Sequence, residues 1–77
     1  MTISFCSLKP GESAQLVEYR DVPHDYQQHL ESMGLTVGTW FCVERIAPLG
    51  DPMQIRLRGF SLGLRKQEAS GLRVIKR

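Results

Sequence analysis

The sequence predicts a small, mainly β domain in which about five short strands form a barrel and one short helix is inserted early. The segment 53–58 alternates apolar and polar residues without interruption, and 61–66 continues this pattern. Strict alternation indicates strands with one buried face. The segment 39–46 is rich in the aromatic and β-branched residues that favour a pleated sheet. Three neighbouring strands therefore form the predicted centre of the sheet.

The first half of the chain contributes one strand and the helix. The strand is predicted over 13–19. Pro23 then opens a helical period in which three apolar side chains share one face: Tyr26, Leu30 and Met33. Gly34 supplies a left-handed stop, so the helix is predicted over about 24–33. Its apolar face is expected to pack on the core, with contact to a partner as the alternative.

The hairpin between 53–58 and 61–66 has a two-residue loop. Gly59 supplies the positive φ that the first position of a type II′ turn needs. Arg58 then lies opposite Ser61, and apolar pairs form on one face: Leu57 with Leu62 and Ile55 with Leu64. The other face is expected to gather basic side chains beside Gln54: Arg56, Arg58 and Arg65.

The end of the chain completes the barrel. Residues 67–70 are long enough for one helical turn ending at Gly71, and 72–75 form the last short strand. These strands and loop lengths fit an SH3-like barrel better than an OB-fold, which needs a longer chain. A closed or nearly closed barrel hides the strand edges that otherwise invite aggregation. We expect the whole chain, 1–77, to be one domain.

Composition restricts the setting in which the chain works. Its 77 residues carry a net charge of only +2 and two cysteines, Cys6 and Cys42. Two distant cysteines are no disulfide framework, so reduced thiols and a cytoplasmic location are expected. The N-terminal residues lack the basic and apolar regions of a signal peptide. No apolar run approaches the roughly 20 residues of a membrane helix.

Neither metal binding nor catalysis is predicted. His24 and His29 lie five residues apart and therefore about 140° apart on a helix, too far to share a metal. Asp25 and His29 can share one, but two ligands fall short of the four of a structural zinc site. No phosphate-binding or dinucleotide motif is present, and the interior of so small a barrel is filled by side chains. We expect no enzyme activity, no metal site and no cofactor.

Nucleic-acid binding is the alternative from another functional class. The three hairpin arginines can follow phosphates together with the cations at the end of the chain. Proteins that bind single strands usually add exposed aromatic side chains on which bases stack. Here Trp40 and Phe41 are expected in the core, and only Phe60 lies at a turn. Interspersed glutamates also dilute the positive charge.

The loop 47–52 is the second candidate surface. Its two prolines stiffen it, and Leu49 is expected at its tip. A stiff loop loses little conformational entropy when it docks on a partner. Without further information, a docking loop and a simple connection between strands are equally good interpretations.

Four motifs follow one another along nearly the whole chain, from about residue 8 to residue 75. They are Leu8-Lys9-Pro10-Gly11; Leu30-x-x-Met33-Gly34-Leu35-x-x-Gly38; Val43-x-Arg45-x-Ala47-Pro48-Leu49-Gly50-Asp51-Pro52; and Leu62-x-Leu64-Arg65-x-x-Glu68-Ala69. In this order they resemble the FeoA family, the small cytosolic component of bacterial ferrous iron transport. Two positions depart from the family pattern: Val37, where the turn often has Pro, and Gly63, where Ala is frequent.

The resemblance implies an SH3-like barrel that assists FeoB, a membrane permease with a cytosolic GTPase domain. It implies neither catalysis nor transport by this chain. The same fold occurs in iron-dependent repressors similar to DtxR, but this chain has no room for a helix-turn-helix. We expect a cytoplasmic accessory protein that reaches the membrane through the permease, and self-association stays open. The residues expected to carry docking are Leu30, which either contacts the partner or holds the helix, and Pro48, Leu49, Asp51, Pro52, Arg56, Arg58 and Arg65.

Overall fold

Six antiparallel strands form one sheet in the computed structural model, which describes all 77 residues. The strands are β1 (Ile3–Ser4), β2 (Ser13–Tyr19), β3 (Trp40–Ile46), β4 (Met53–Leu57), β5 (Phe60–Leu64) and β6 (Leu72–Lys76). The helices are α1 (His24–Ser32) and the single turn α2 (Lys66–Ala69), with a 3₁₀ turn at Phe5–Ser7. The order in the sheet is β1-β6-β2-β3-β4-β5. The predicted small SH3-like barrel with one short helix is confirmed, and β1 is an additional strand. β1 pairs only with β6 and β5 only with β4, so the strand edges that a closed barrel was expected to hide stay open.

The core consists of one cluster of 16 buried apolar residues. Alternate residues of β4 and β5 supply five of them: Met53, Ile55, Leu57, Leu62 and Leu64. The rings of Phe5 and Phe41 also meet in this cluster, with their centroids 5.8 Å apart. The alternation in the sequence therefore marks the inner face of the barrel correctly.

The hairpin has a different register from the predicted one. Arg58 and Gly59 are the loop residues, with φ of 49° and 86°, and positive φ at both positions identifies a type I′ turn. The observed pairs are Leu57–Phe60, Ile55–Leu62 and Met53–Leu64. The predicted II′ turn and its pairs are therefore wrong. Because the strands are displaced by two residues, which is the period of a strand, the same side chains still face the core.

Helix α1 ends as predicted, in a left-handed glycine. Gly34 has φ of 101°, its N–H donates to the Glu31 carbonyl at 3.0 Å, and the Leu35 N–H donates to the Leu30 carbonyl at 3.0 Å. These two bonds define a Schellman cap. Leu30 and Leu35 are both buried, and the Tyr19 hydroxyl donates to the Leu35 carbonyl. The cap thus fixes the helix end to β2.

Gly71 follows α2 for a reason other than helix termination. A Cβ at this position would lie 1.9 Å from the Arg20 carbonyl oxygen and 2.9 Å from Val22 Cγ2. The Arg20 N–H donates to the Gly71 carbonyl at 2.7 Å. Two backbone segments therefore touch here, and only glycine fits between them.

No helix has both the length and the apolar character needed to cross a membrane. Cys6 and Cys42 are both free and partly buried.

Candidate docking surface

The loop 47–52 is held rigidly by its own backbone. The Gly50 N–H donates to the Ala47 carbonyl at 2.7 Å, which closes a β-turn. Pro48 occupies the second position of this turn and Gly50 the fourth, where the commonest turn type prefers these residues. The Ala47 N–H also donates to the Pro52 carbonyl at 3.1 Å, across the base of the loop. The two bonds leave the loop little freedom.

Asp51 ties the loop to the rest of the molecule. Its Oδ1 accepts a hydrogen bond from the Lys66 backbone N–H at 2.9 Å, at the start of α2. The Lys66 ammonium also lies close above Gly50, 3.4 Å from where a Cβ would stand. Asp51 therefore fixes the position of the loop. Leu49 at the tip of the loop is 98% exposed. The arrangement presents one apolar side chain on a fixed support.

Leu30 lies away from this surface. It is only 1% exposed and packs in the core beneath α1. Leu30 therefore cannot touch a partner itself. Of its two expected roles, partner contact and holding the helix in place, its buried position agrees with the second.

The predicted basic face is not a single patch. Arg56 Nε donates to Glu44 Oε2 at 2.7 Å, and Glu44 also accepts hydrogen bonds from Ser61 Oγ at 2.7 Å and Gln54 Nε2 at 3.1 Å. The hydrogen bonds from Ser61, Arg56 and Gln54 hold the pKa of Glu44 below its ordinary value. The positive charge of Arg56 is therefore paired with the Glu44 carboxylate on the same face of the sheet.

Arg58 and Arg65 lie at opposite ends of β5. Arg58 is in the hairpin turn, and Arg65 directly precedes α2. Both are exposed, and neither forms a salt bridge. A strand rises about 3.4 Å per residue, so roughly five strand residues separate them by about 17 Å. The expectation that Arg56, Arg58 and Arg65 gather is wrong, because Arg56 pairs with Glu44 and the length of β5 separates Arg58 from Arg65.

Trp40 is an exposed aromatic residue that the sequence interpretation placed in the core. It is 48% exposed, whereas its neighbour Phe41 is 4% exposed. Adjacent residues of a strand point to opposite faces, and Phe41 lies opposite Ala14 on the inner one. Trp40 lines a shallow groove together with Arg58, Gly59 and Arg77. Since both residues are aromatic, only the register decides which of them is buried.

The structure brings few chemically reactive groups together. No three His, Cys, Asp or Glu side chains converge as metal ligands would. His24, Asp25 and His29 are exposed on α1. Burial raises the pKa of Tyr26 to about 12, and its hydroxyl, which lies near the Arg65 backbone, forms no well-aligned hydrogen bond. None of these groups forms a pair of the kind that acid–base or nucleophilic catalysis requires.

Comparison with known proteins gives a consistent result over the full length. The profile of the FeoA domain family matches residues 1–76. The fold is similar to an FeoA-like protein from Clostridium acetobutylicum, at 31% identity and a TM-score of 0.85 over 97% of this chain and 86% of that one. It is also similar to the FeoA protein from Chlorobium tepidum, at 31% identity and a TM-score of 0.89 over 96% and 70%.

A larger solved protein shares the fold alone. T. acidophilum IdeR matches 99% of this chain with a TM-score of 0.88, but at 20% identity and over only 34% of its own length. The same barrel thus also occurs as part of a larger protein.

Proposed function

Because this chain belongs to the FeoA family, we propose that it serves a ferrous iron transport system by docking on the cytosolic side of the FeoB permease. Membership gives the role in Fe²⁺ transport, and the docking mode is our proposal. The supporting observation is the rigid loop that presents Leu49 at 98% exposure. A monomer gains nothing from holding a leucine in water, whereas its full burial in a partner contributes about 2 kcal/mol.

The filled interior supports a binding role over a catalytic one. The 16 core side chains occupy the barrel, and the surface around the loop offers one apolar contact and exposed cations. Exposed charges such as Arg58 and Arg65 mainly orient an approaching partner and raise the association rate. The loop then supplies affinity, and the arginines supply orientation.

Copurification tests this proposal. The tagged protein is incubated with membranes solubilised in mild detergent, and retention of the permease is measured at physiological salt with and without nucleotide. We expect Leu49→Ala to lose most of the retained permease. Val37→Ala is the matched control, because Val37 is also an exposed apolar residue, at 61%, but lies outside the loop. Unchanged retention with Leu49→Ala, or no retention by the unaltered protein in either state, would contradict docking through this loop.

Trp40 favours nucleic-acid binding as a second candidate. An exposed indole that lines one groove with Arg58 and Arg77 offers a stacking surface together with two cations that could contact phosphates. This function predicts retention of the protein on single-stranded oligonucleotide that falls steeply with salt and is lost in Trp40→Ala. Docking on the permease predicts neither property.

A further inference from the structure

The outer edge of β5 is an unprotected strand edge. β5 is the last strand of the sheet, and among the strands it pairs only with β4. Its five residues, Phe60–Leu64, include no charge and no proline, and its pairing has no bulge. Natural proteins usually protect a strand edge with one of these features, because a bare edge pairs with other chains. The opposite edge, β1, has only two residues.

The register shows which backbone groups are free. Leu57 and Phe60 close a two-residue loop, so they exchange hydrogen bonds, and every second pair after them does the same. The N–H and C=O groups of Ser61 and Gly63 therefore point away from β4. Both residues are exposed, and no backbone hydrogen bond outside the ladders involves β5. Two donors and two acceptors thus lie along the edge with the spacing of a further strand.

Gly63 makes this edge unusually accessible. A Cβ there would meet no atom within 4 Å, and its φ lies outside the left-handed region. Neither packing nor backbone conformation within this chain therefore requires a glycine. Glycine inside a strand often marks a place where another backbone approaches closely.

The charges around the edge select its occupant. Arg58 precedes β5, and Arg65 and Lys66 follow it. Asp51 is occupied by the Lys66 backbone N–H, and Glu44 is occupied by Arg56 and its other donors. A second copy paired symmetrically about Leu62 would place Arg58 opposite Lys66 of that copy, and like charges directly opposite are destabilising. A segment with acidic ends complements both ends of the strand.

We propose that the free edge of β5 binds an extended segment of a partner, acidic at both ends and small or apolar in the middle, as an added strand. Main-chain hydrogen bonds to Ser61 and Gly63 hold such a segment, and Arg58 and Arg65 bind its ends. This inference rests on the proposed docking function and gives it a second contact.

A matched pair of variants at Gly63 tests the edge. Gly63→Pro removes the outward N–H without removing a ladder bond, as proline at a strand edge allows, and Gly63→Ala keeps the N–H. The probe is a fluorescent peptide, Glu-Glu-Val-Thr-Val-Thr-Glu-Glu, and its control has lysines in place of the glutamates. We expect Gly63→Ala to bind like the unaltered protein and Gly63→Pro to bind about tenfold more weakly. Arg58→Glu with Arg65→Glu should transfer the preference to the lysine peptide.

Amide hydrogen exchange tests the same edge in the unaltered protein, so it does not require the Gly63→Pro variant to fold. In the unaltered protein the amides of Ser61 and Gly63 should exchange quickly, and saturating glutamate peptide should slow them. Equal binding by the two Gly63 variants, or unchanged exchange at both amides, would overturn the proposal. A concentration-dependent dimer in sedimentation that Gly63→Pro abolishes would assign the edge to a second copy instead. The peptide assay contains no permease, so failure of peptide binding does not change the copurification result for Leu49→Ala. Failure of copurification likewise does not change the result of the peptide assay.

Discussion

Replacing Gly71 by alanine tests the closest backbone contact in the barrel. The new Cβ would lie 1.9 Å from the Arg20 carbonyl oxygen and 3.0 Å from the Arg20 carbonyl carbon. Such atoms cannot move out of the way as a flexible side chain does, so the two segments must separate. Overpacking costs about 1–3 kcal/mol, and weakening the 2.7 Å bond between Arg20 N–H and the Gly71 carbonyl adds about 1 kcal/mol. We therefore expect a loss of about 2–4 kcal/mol in the free energy of unfolding.

Urea unfolding followed by circular dichroism measures this loss. A domain of this size has a total stability of roughly 4–12 kcal/mol, so the variant should lose a large part of it. With a slope of about 1 kcal/mol per molar urea, the midpoint should fall by about 2 M or more. Gly63→Ala is the control, because its Cβ meets open space and alanine in a strand should be neutral or stabilising by up to about 1 kcal/mol. A Gly71→Ala variant within about 0.5 kcal/mol of the unaltered protein would refute the reasoning, because surface substitutions fall in that range.

Three further substitutions test how individual polar side chains contribute to stability. The hydrogen bond from Ser61, with those of two further donors, holds the pKa of Glu44 below its ordinary 4.5. The stability that ionised Glu44 contributes is therefore complete above pH 4.5 and is lost as the pH falls through the pKa of Glu44 in the folded protein. Glu44→Gln should make the urea midpoint decline less steeply between pH 7 and pH 3. Parallel curves for the variant and the unaltered protein would contradict this prediction. Tyr19→Phe leaves the Leu35 carbonyl without its donor and should cost about 1–2 kcal/mol. Tyr26→Phe removes a hydroxyl that forms no well-aligned hydrogen bond and should cost less, so equal losses in urea unfolding would contradict the assignment.

The elements that sequence predicts well are those whose signal is local. Strand β2 matches the predicted 13–19, and α1 ends at its glycine, because a left-handed glycine followed by an apolar residue carries its own geometry. The hairpin turn was mispredicted since Arg58, which is not a glycine, takes a positive φ. Gly59 can be either the first or the second residue of a two-residue loop, and no local feature of the sequence decides between these positions. The two-residue β1 is too short to show any alternation.

The same distinction between local and long-range features applies to the candidate docking surface. The stiffness of the loop 47–52 follows from its prolines and could be predicted. Its attachment through Asp51 to the Lys66 N–H joins residues 15 positions apart and could not. The pairing of Glu44 with Arg56 likewise depends on a bulge in β3, between Val43 and Arg45, that only the folded sheet defines.

The rigid loop and the free strand edge are connected in space. The Lys66 backbone N–H donates to Asp51 of the loop, and Arg65, which directly precedes Lys66, follows the last residue of β5. A partner that covers Leu49 therefore finds the edge within reach, and the two contacts act on one complex if they share that partner. In that case Leu49→Ala and Gly63→Pro each weaken retention of the permease. If the edge has a partner of its own, Gly63→Pro weakens peptide binding about tenfold and leaves the permease bound, because the Leu49 loop is unaltered. Comparing the two variants in both assays thus separates one continuous docking surface from two independent ones.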